Sequence, residues 1–189
     1  MQIINNTYIE GKFIESNSTS YFDLINPANE EKYGSLLCSS IEDLENAINS
    51  AEDYCIKNKL NLTPIRRKVL ELLLQEHQAL GAYAILAMLR DQGFSNQPPV
   101  AYRALDFLVE HGFAHKIEKL NAFVACSLPG ANHSPAFLIC KKCNTVAETQ
   151  SYPHNISFKE TANATGFQIE HTIIEAQGIC QSCIEANQI

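Results

Sequence analysis

Two cysteine knuckles, Cys140-x-x-Cys143 and Cys180-x-x-Cys183, constrain this chain more than anything else in it. Each knuckle presents two thiols from one tight turn, and a knuckle answered by another at a distance reads as a closed four-thiolate zinc site. Disulfides are the weaker reading, because the seven cysteines are neither even in number nor spaced like a secreted scaffold. A reducing compartment is therefore expected. Such a cage pins the helix after Cys180 to the strand that ends at Cys140, so the C-terminal part must close on itself as a small unit.

A second group of donors differs in kind. His115, Cys126 and His133 precede the first knuckle, and Glu148 follows it by five residues. Nitrogen, sulfur and oxygen donors protonate more readily than a four-cysteine cage, so a site built from them can fill and empty. One permanent metal beside one exchangeable metal points to a sensor. On spacing alone the plainer alternative stays open: a histidine on a hairpin is often a surface or satisfied core residue, and a cysteine at a strand end can be filler. Cys38 and Cys55 read as small buried apolar residues. His77, His111, His154 and His171 have no partner at ligand spacing.

The start, MQIINNTYIEGKF, lacks the charged and apolar regions of a signal peptide, and no apolar run reaches the roughly 18 residues of a membrane span. A soluble, cytoplasmic protein with no membrane partner is expected. The net charge of −7 argues against nucleic acid until it is divided by region. Residues 1–56 carry two Lys against ten acids, residues 57–119 carry nine Lys and Arg against six acids, and residues 120–189 carry three against five. Only the middle block is basic. Local charge decides phosphate contact, since screening confines each charge to about 10 Å.

In chain order, residues 6–37 predict short strands around the turn signals Glu10-Gly11 and Asn26-Pro27. A helix follows over about 41–58, with Leu44, Ile48, Ala51 and Cys55 on its apolar stripe. Thr63-Pro64 opens a second helix, with Ile65, Val69, Leu72 and Leu73 on one face and Arg66, Arg67 and Lys68 outside. Residues 81–90 predict a third, ended by Gly93. Pro98-Pro99 starts a fourth, with Ala101, Leu105, Leu108 and Val109 inward and Tyr102, Arg103, Asp106 and Glu110 outward.

FAHKIE and NAFVACS read as a strand pair, and three helices followed by a hairpin are a winged helix-turn-helix whose last helix enters the major groove. Pro129, Gly130 and Asn132 mark a hinge. Beyond it come the strands PAFLIC, NTVAETQ and GFQIEHTIIEA, a helix over about 157–165 and a short helix after Cys180. The expected class is α+β: a β-rich extension over 1–40, a winged-helix DNA-binding domain over 41–127, a hinge over 128–134 and a small zinc-binding α/β dimerisation domain over 135–189.

LTPIRRKVLELL, PPVAYRALDFLVEHGFAHKIE, the FVAC strand, the paired knuckles and IEAQGIC-QSC together resemble the zinc uptake regulator branch of the ferric uptake regulator superfamily. The resemblance runs from about residue 51 to the end. It implies a structural zinc on Cys140, Cys143, Cys180 and Cys183, a regulatory zinc on His115, Cys126, His133 and Glu148, and hence two Zn2+ per chain. It also implies DNA contacts from Tyr83 and from Arg103, beside Tyr102, with arginine suited to a bidentate bond to guanine. The implied function is a zinc-loaded homodimer that binds operator DNA and represses zinc-uptake genes, not an enzyme.

Two features depart from the branch. The acid that bridges neighbouring dimers is replaced by Ala87, although Arg90 is present. The stretch from Tyr8 to Ala51, including INPA, resembles the amino-terminal edge of aldehyde dehydrogenases, without a catalytic residue. Rival readings are an iron or peroxide sensor of the same superfamily, against which Cys126 argues because thiolate favours zinc, and a zinc-stabilised DNA-binding protein that does not sense. A zinc deaminase is disfavoured because no His-x-Glu accompanies a Pro-Cys-x-x-Cys.

Overall fold

The computed structural model describes residues 2–4, 6–9, 12–26, 29, 31–75, 78–94, 97–129, 135–149, 162, 164–169 and 172–185. Five strands come first: β1 (Gln2–Ile4), β2 (Asn6–Ile9), β3 (Lys12–Glu15), β4 (Tyr21–Ile25) and β5 (Lys32–Leu37). Strands β2 and β3 form an antiparallel hairpin, while β5 lies between antiparallel β4 and parallel β1. Strand β1 was not expected, since its three residues are too few to show an alternation. Of the turn signals, Glu10, Gly11 and Pro27 lie outside the described residues.

Helix α1 (Ile41–Lys57) starts at a capping box in which Ser40 accepts from the Asp43 N–H and the Asp43 carboxylate accepts from the Ser40 N–H. Such a cap stabilises a helix by about 1 kcal/mol. The Asp43 carboxylate also accepts from the Ser16 hydroxyl, which ties the extension to the first turn of α1. Burial acts to raise Asp43, but these bonds from Ser16 and Ser40 outweigh it and hold the group below the ordinary carboxylate range.

Helices α2 (Pro64–Gln75), α3 (Ala82–Asp91) and α4 (Pro98–Glu110) pack with α1 around one core that includes Ala51, Cys55, Val69, Leu72, Ile85, Leu89, Leu105 and Leu108. Cys55 is buried as expected, whereas Cys38 is only half-buried. Gly93 adopts φ +78 and donates to the Arg90 carbonyl, the left-handed stop its position predicted. One helix face needs correction: Phe107 is buried and Val109 is 36% exposed. The stripe of α4 is turned toward α2, where the Arg66 guanidinium covers the Phe107 ring 3.8 Å from its centroid.

Strands β7 (Ala114–Ile117) and β8 (Ala122–Ala125) pair antiparallel through a 3-10 turn at Glu118–Leu120, closed by Asn121 in the left-handed region. A two-residue strand β6 (Leu80–Gly81) adds to the far edge of β8; it is too short for a sequence pattern. The C-terminal sheet has β9 (Ala136–Cys140) between antiparallel β10 (Val146–Thr149) and parallel β11 (Ile174–Gly178), and α5 (Gln181–Glu185) follows.

The expected strand GFQIEHTIIEA is shorter in the structure, and Gly166 at φ +68 belongs to the turn ending the preceding helix. Of that helix only residues 162, 164 and 165 are described. A second core joins the hairpin to the C-terminal sheet, with Ile117, Leu120 and Val124 packed on Phe137, Ile139 and Val146. Among the described residues no helix is long and apolar enough to cross a membrane.

Candidate metal centres and nucleic-acid interface

Strand β9 ends at Cys140, the following turn presents Cys143, and Cys180 and Cys183 lie at the start of α5 and within it. Their four sulfurs lie within 4.8 Å of one another, with Cys143 and Cys180 3.6 Å apart. A tetrahedral zinc with 2.3 Å bonds needs sulfurs about 3.8 Å apart, so the residues fit this metal. The backbone prepares the cage. The N–H groups of Cys180 and Lys142 point at the Cys140 sulfur at 3.3 and 3.4 Å.

Hydrogen bonds from the Cys180, Cys143 and Lys142 amides lower the Cys140 thiol to about 6. The Thr145 hydroxyl, 3.1 Å from the Cys143 sulfur, lowers that thiol too. Cys183 is pushed up to about 12, chiefly by its sulfur neighbours Cys180 and Cys143. The cage thus has a thiolate ready to bind, yet all four sulfurs cannot ionise together without a cation to offset their repulsion.

The second group comes together across the boundary between the hairpin and the C-terminal sheet. His115 on β7, Cys126 just after β8 and Glu148 on β10 place one ligand atom each within 4.8 Å. His115 Nε2 lies 3.5 Å from Glu148 Oε1, and the two side chains are 10% and 7% exposed. The His115 ring also packs on Phe137, with centroids 5.5 Å apart. The fourth expected donor, His133, lies outside the described residues.

Ser127 holds Glu148 from the far side, its N–H and hydroxyl donating to Oε2 at 2.9 and 2.8 Å. Burial acts to raise Glu148, but hydrogen bonds from His115 and Ser127 outweigh it and bring the carboxyl down to about 2. Burial pushes the Cys126 thiol up to about 12, opposed in part by the Leu128 N–H and reinforced by the Glu148 carboxylate. One donor is therefore ionised in advance, and another must lose a proton to bind. A nitrogen, a sulfur and an oxygen donor in a small buried site suit zinc.

The residues expected to meet DNA lie on α3 and α4. Tyr83 is 76% exposed on α3 and Tyr102 is 38% exposed on α4. Arg103 is exposed next to Tyr102 and makes no hydrogen bond or ion pair with any described residue. Other cations of the basic block are engaged: Arg67 with Glu52 and Glu71, Lys68 with Glu71, Lys116 with Glu118, and Arg90 with its own neighbour Asp91. Arg103→Ala is expected to weaken specific DNA binding by about 1–3 kcal/mol and leave zinc uptake intact. An unchanged affinity in a salt-controlled titration would remove α4 from the reading role.

The profile of the ferric uptake regulator family matches residues 57–177. The chain belongs to the ferric uptake regulator family. Within it, the zinc uptake regulation protein of Escherichia coli K12 is 39% identical over 136 residues, which are 71% of this chain and 80% of that protein. A solved structure described as a zinc uptake regulator complexed with zinc and DNA matches with a TM-score of 0.73 at 35% identity, over 77% of this chain and 98% of that one.

These likenesses put this family member in the zinc uptake regulator branch, with the α+β fold of a winged helix-turn-helix followed by a small α/β domain. The family is one of transcription regulators and not of enzymes. A Staphylococcus saprophyticus protein named as an aldehyde dehydrogenase is 30% identical over 78 residues, but these are 16% of its length. That likeness is weak and carries no activity.

Ser127, Thr145, Phe137 and Glu175 were not singled out from the sequence. Ser127 and Thr145 each stand close in sequence to a candidate ligand, the one signal available for them. Phe137 and Glu175 act across the fold, and no spacing announces them.

Proposed function

We propose that this protein is a zinc-responsive transcriptional repressor that binds operator DNA as a zinc-loaded homodimer and shuts off zinc-uptake genes in the cytoplasm. The observation that carries the reading is the convergence of His115, Cys126 and Glu148 from two different sheets. Metal taken up there ties the hairpin of the DNA-binding unit to the C-terminal sheet, and a ligand shifts such an equilibrium by as much as it favours one state. Cys140, Cys143, Cys180 and Cys183 hold a structural zinc. His115, Cys126, His133 and Glu148 hold the regulatory one, and Tyr83, Tyr102 and Arg103 meet DNA.

In this reading the bound zinc supplies charge neutralisation and a rigid link, and the residues do the rest. Ser127 and His115 keep Glu148 ionised and aimed, Cys126 releases its proton on binding, and Phe137 keeps water from one face of the His115 ring. The division into an extension over 1–40, a DNA-binding domain over 41–127, a hinge over 128–134 and a dimerisation domain over 135–189 is part of the proposal. The boundary at residue 40 is supported by the helix cap at Ser40.

Operator affinity measured against zinc equivalents tests the function. A sharp rise with the second equivalent per chain is expected. Full affinity with only one zinc per chain would instead mean a zinc-stabilised DNA-binding protein that does not sense.

A further inference from the structure

Glu148 is one end of a row. In the C-terminal sheet Phe137 on β9 is paired with Glu148 on β10 on one side and with Glu175 on β11 on the other. Residues in register across a sheet point to the same face, so the three side chains share one surface, its two carboxylates about 10 Å apart across two strand spacings. Glu148 faces His115 and Ser127. Glu175 reaches the opposite end of the same hairpin strand, where its carboxylate accepts the Glu118 N–H at 2.7 Å and the Lys119 N–H at 3.1 Å. These are the first amides of the 3-10 turn at the wing tip, donors that a short helix leaves unsatisfied.

From His115 to Glu118 the strand rises about 10 Å, so the two catch points on the hairpin match the span of the row. Between them Ile117 is fully buried against Phe137. The hairpin strand β7 therefore lies across all three strands of the C-terminal sheet. It is gripped at its root beside the candidate regulatory site and at its tip by Glu175.

We infer that Glu175 is a positioning residue for the metal response: a second, metal-independent anchor that fixes the angle of the wing and sets how much zinc is needed to reach the DNA-binding geometry. A joint held only at the root can still swing about that point. A second attachment at the other end of the strand removes the swing. Because the bonds of Glu175 use none of the donors of the other site, they favour the closed arrangement in their own right and raise the fraction of chains in which those donors already meet. The apparent zinc affinity scales with that fraction. Two carboxylate-to-amide bonds at a partly exposed site bias the closing equilibrium by roughly tenfold.

The inference rests on the proposed zinc sensing, and the test separates the two. Full-length protein carrying its four-cysteine zinc is titrated with zinc while operator affinity is read, and hydrogen exchange is followed at the Glu118 and Lys119 amides. Glu175→Ala should speed exchange at both amides and move the zinc midpoint up by about tenfold, with operator affinity at saturating zinc unchanged. A merely structural role would lower the saturating affinity as well.

Glu175→Gln, which keeps the size of the side chain and one acceptor, should fall between and serves if the alanine variant folds poorly. An unmoved midpoint, with or without altered exchange, overturns the inference, as does exchange that ignores both substitutions. If wild-type operator binding shows no zinc dependence, the sensing proposal falls and the exchange data still decide whether Glu175 holds the wing.

Discussion

Cys180→Ser is expected to leave a chain that no longer melts cooperatively. Cys180 stands where β11 gives way to α5, its N–H aimed at the Cys140 sulfur and its own sulfur 3.6 Å from Cys143. A serine hydroxyl at this place does not ionise near neutral pH and cannot complete the tetrahedron. A structural zinc of this kind contributes folding free energy of order 10 kcal/mol. That is comparable to the whole stability of an ordinary domain, about 5–15 kcal/mol. Among the described residues the buried apolar cluster on the C-terminal sheet is small, with Phe137, Ile139 and Val146 packed on Ile117 of the hairpin. Calorimetry and near-ultraviolet dichroism read the outcome. A cooperative transition near the wild-type temperature would mean that the four cysteines do not hold the fold.

Cys126→Ser is expected to separate folding from sensing. The variant should fold, dimerise and keep one zinc per chain by elemental analysis, because the cage uses other residues. It should lose the second zinc and with it the zinc-dependent rise in operator affinity, a coupling typically worth about 1–3 kcal/mol or roughly 5- to 150-fold. The metal-free thiol is held up at about 12 by burial, so it gives up its proton only in exchange for a metal. Serine in the same pocket cannot make that exchange at neutral pH. A variant that retains two zincs and the wild-type DNA response would show Cys126 to be packing and nothing more.

Legibility in the sequence followed distance along the chain. The four-cysteine cage could be read directly because each half is a local turn with its spacing intact. The helices could be read because a 3.6-residue stripe repeats within each. Where a stripe ends could not, and Phe107 takes the buried place expected for Val109 because the position of α2, and not the pattern of α4, sets that edge. His115, Cys126 and Glu148 come from separate parts of the chain, so their donor types could suggest a second site, while the plainer alternatives stayed open until the family resemblance linked them. Glu175 was invisible for a different reason: its partners are backbone amides, which every residue but proline possesses.

The family match begins at residue 57, the last residue of α1, and α1 continues without a break from Ile41 to Lys57. Its buried positions Ile48, Ala51 and Cys55 keep steps of three and four up to that boundary. A helix has a reading frame as strict as that of a message: one residue gained or lost there would rotate everything upstream by about 100°. Ile48 would then turn out to water, and the strand module tied to Asp43 through Ser16 would swing with it. The helix should therefore tolerate substitutions on its solvent side but no change in length, so the strand module is held in phase by the core that α1 feeds.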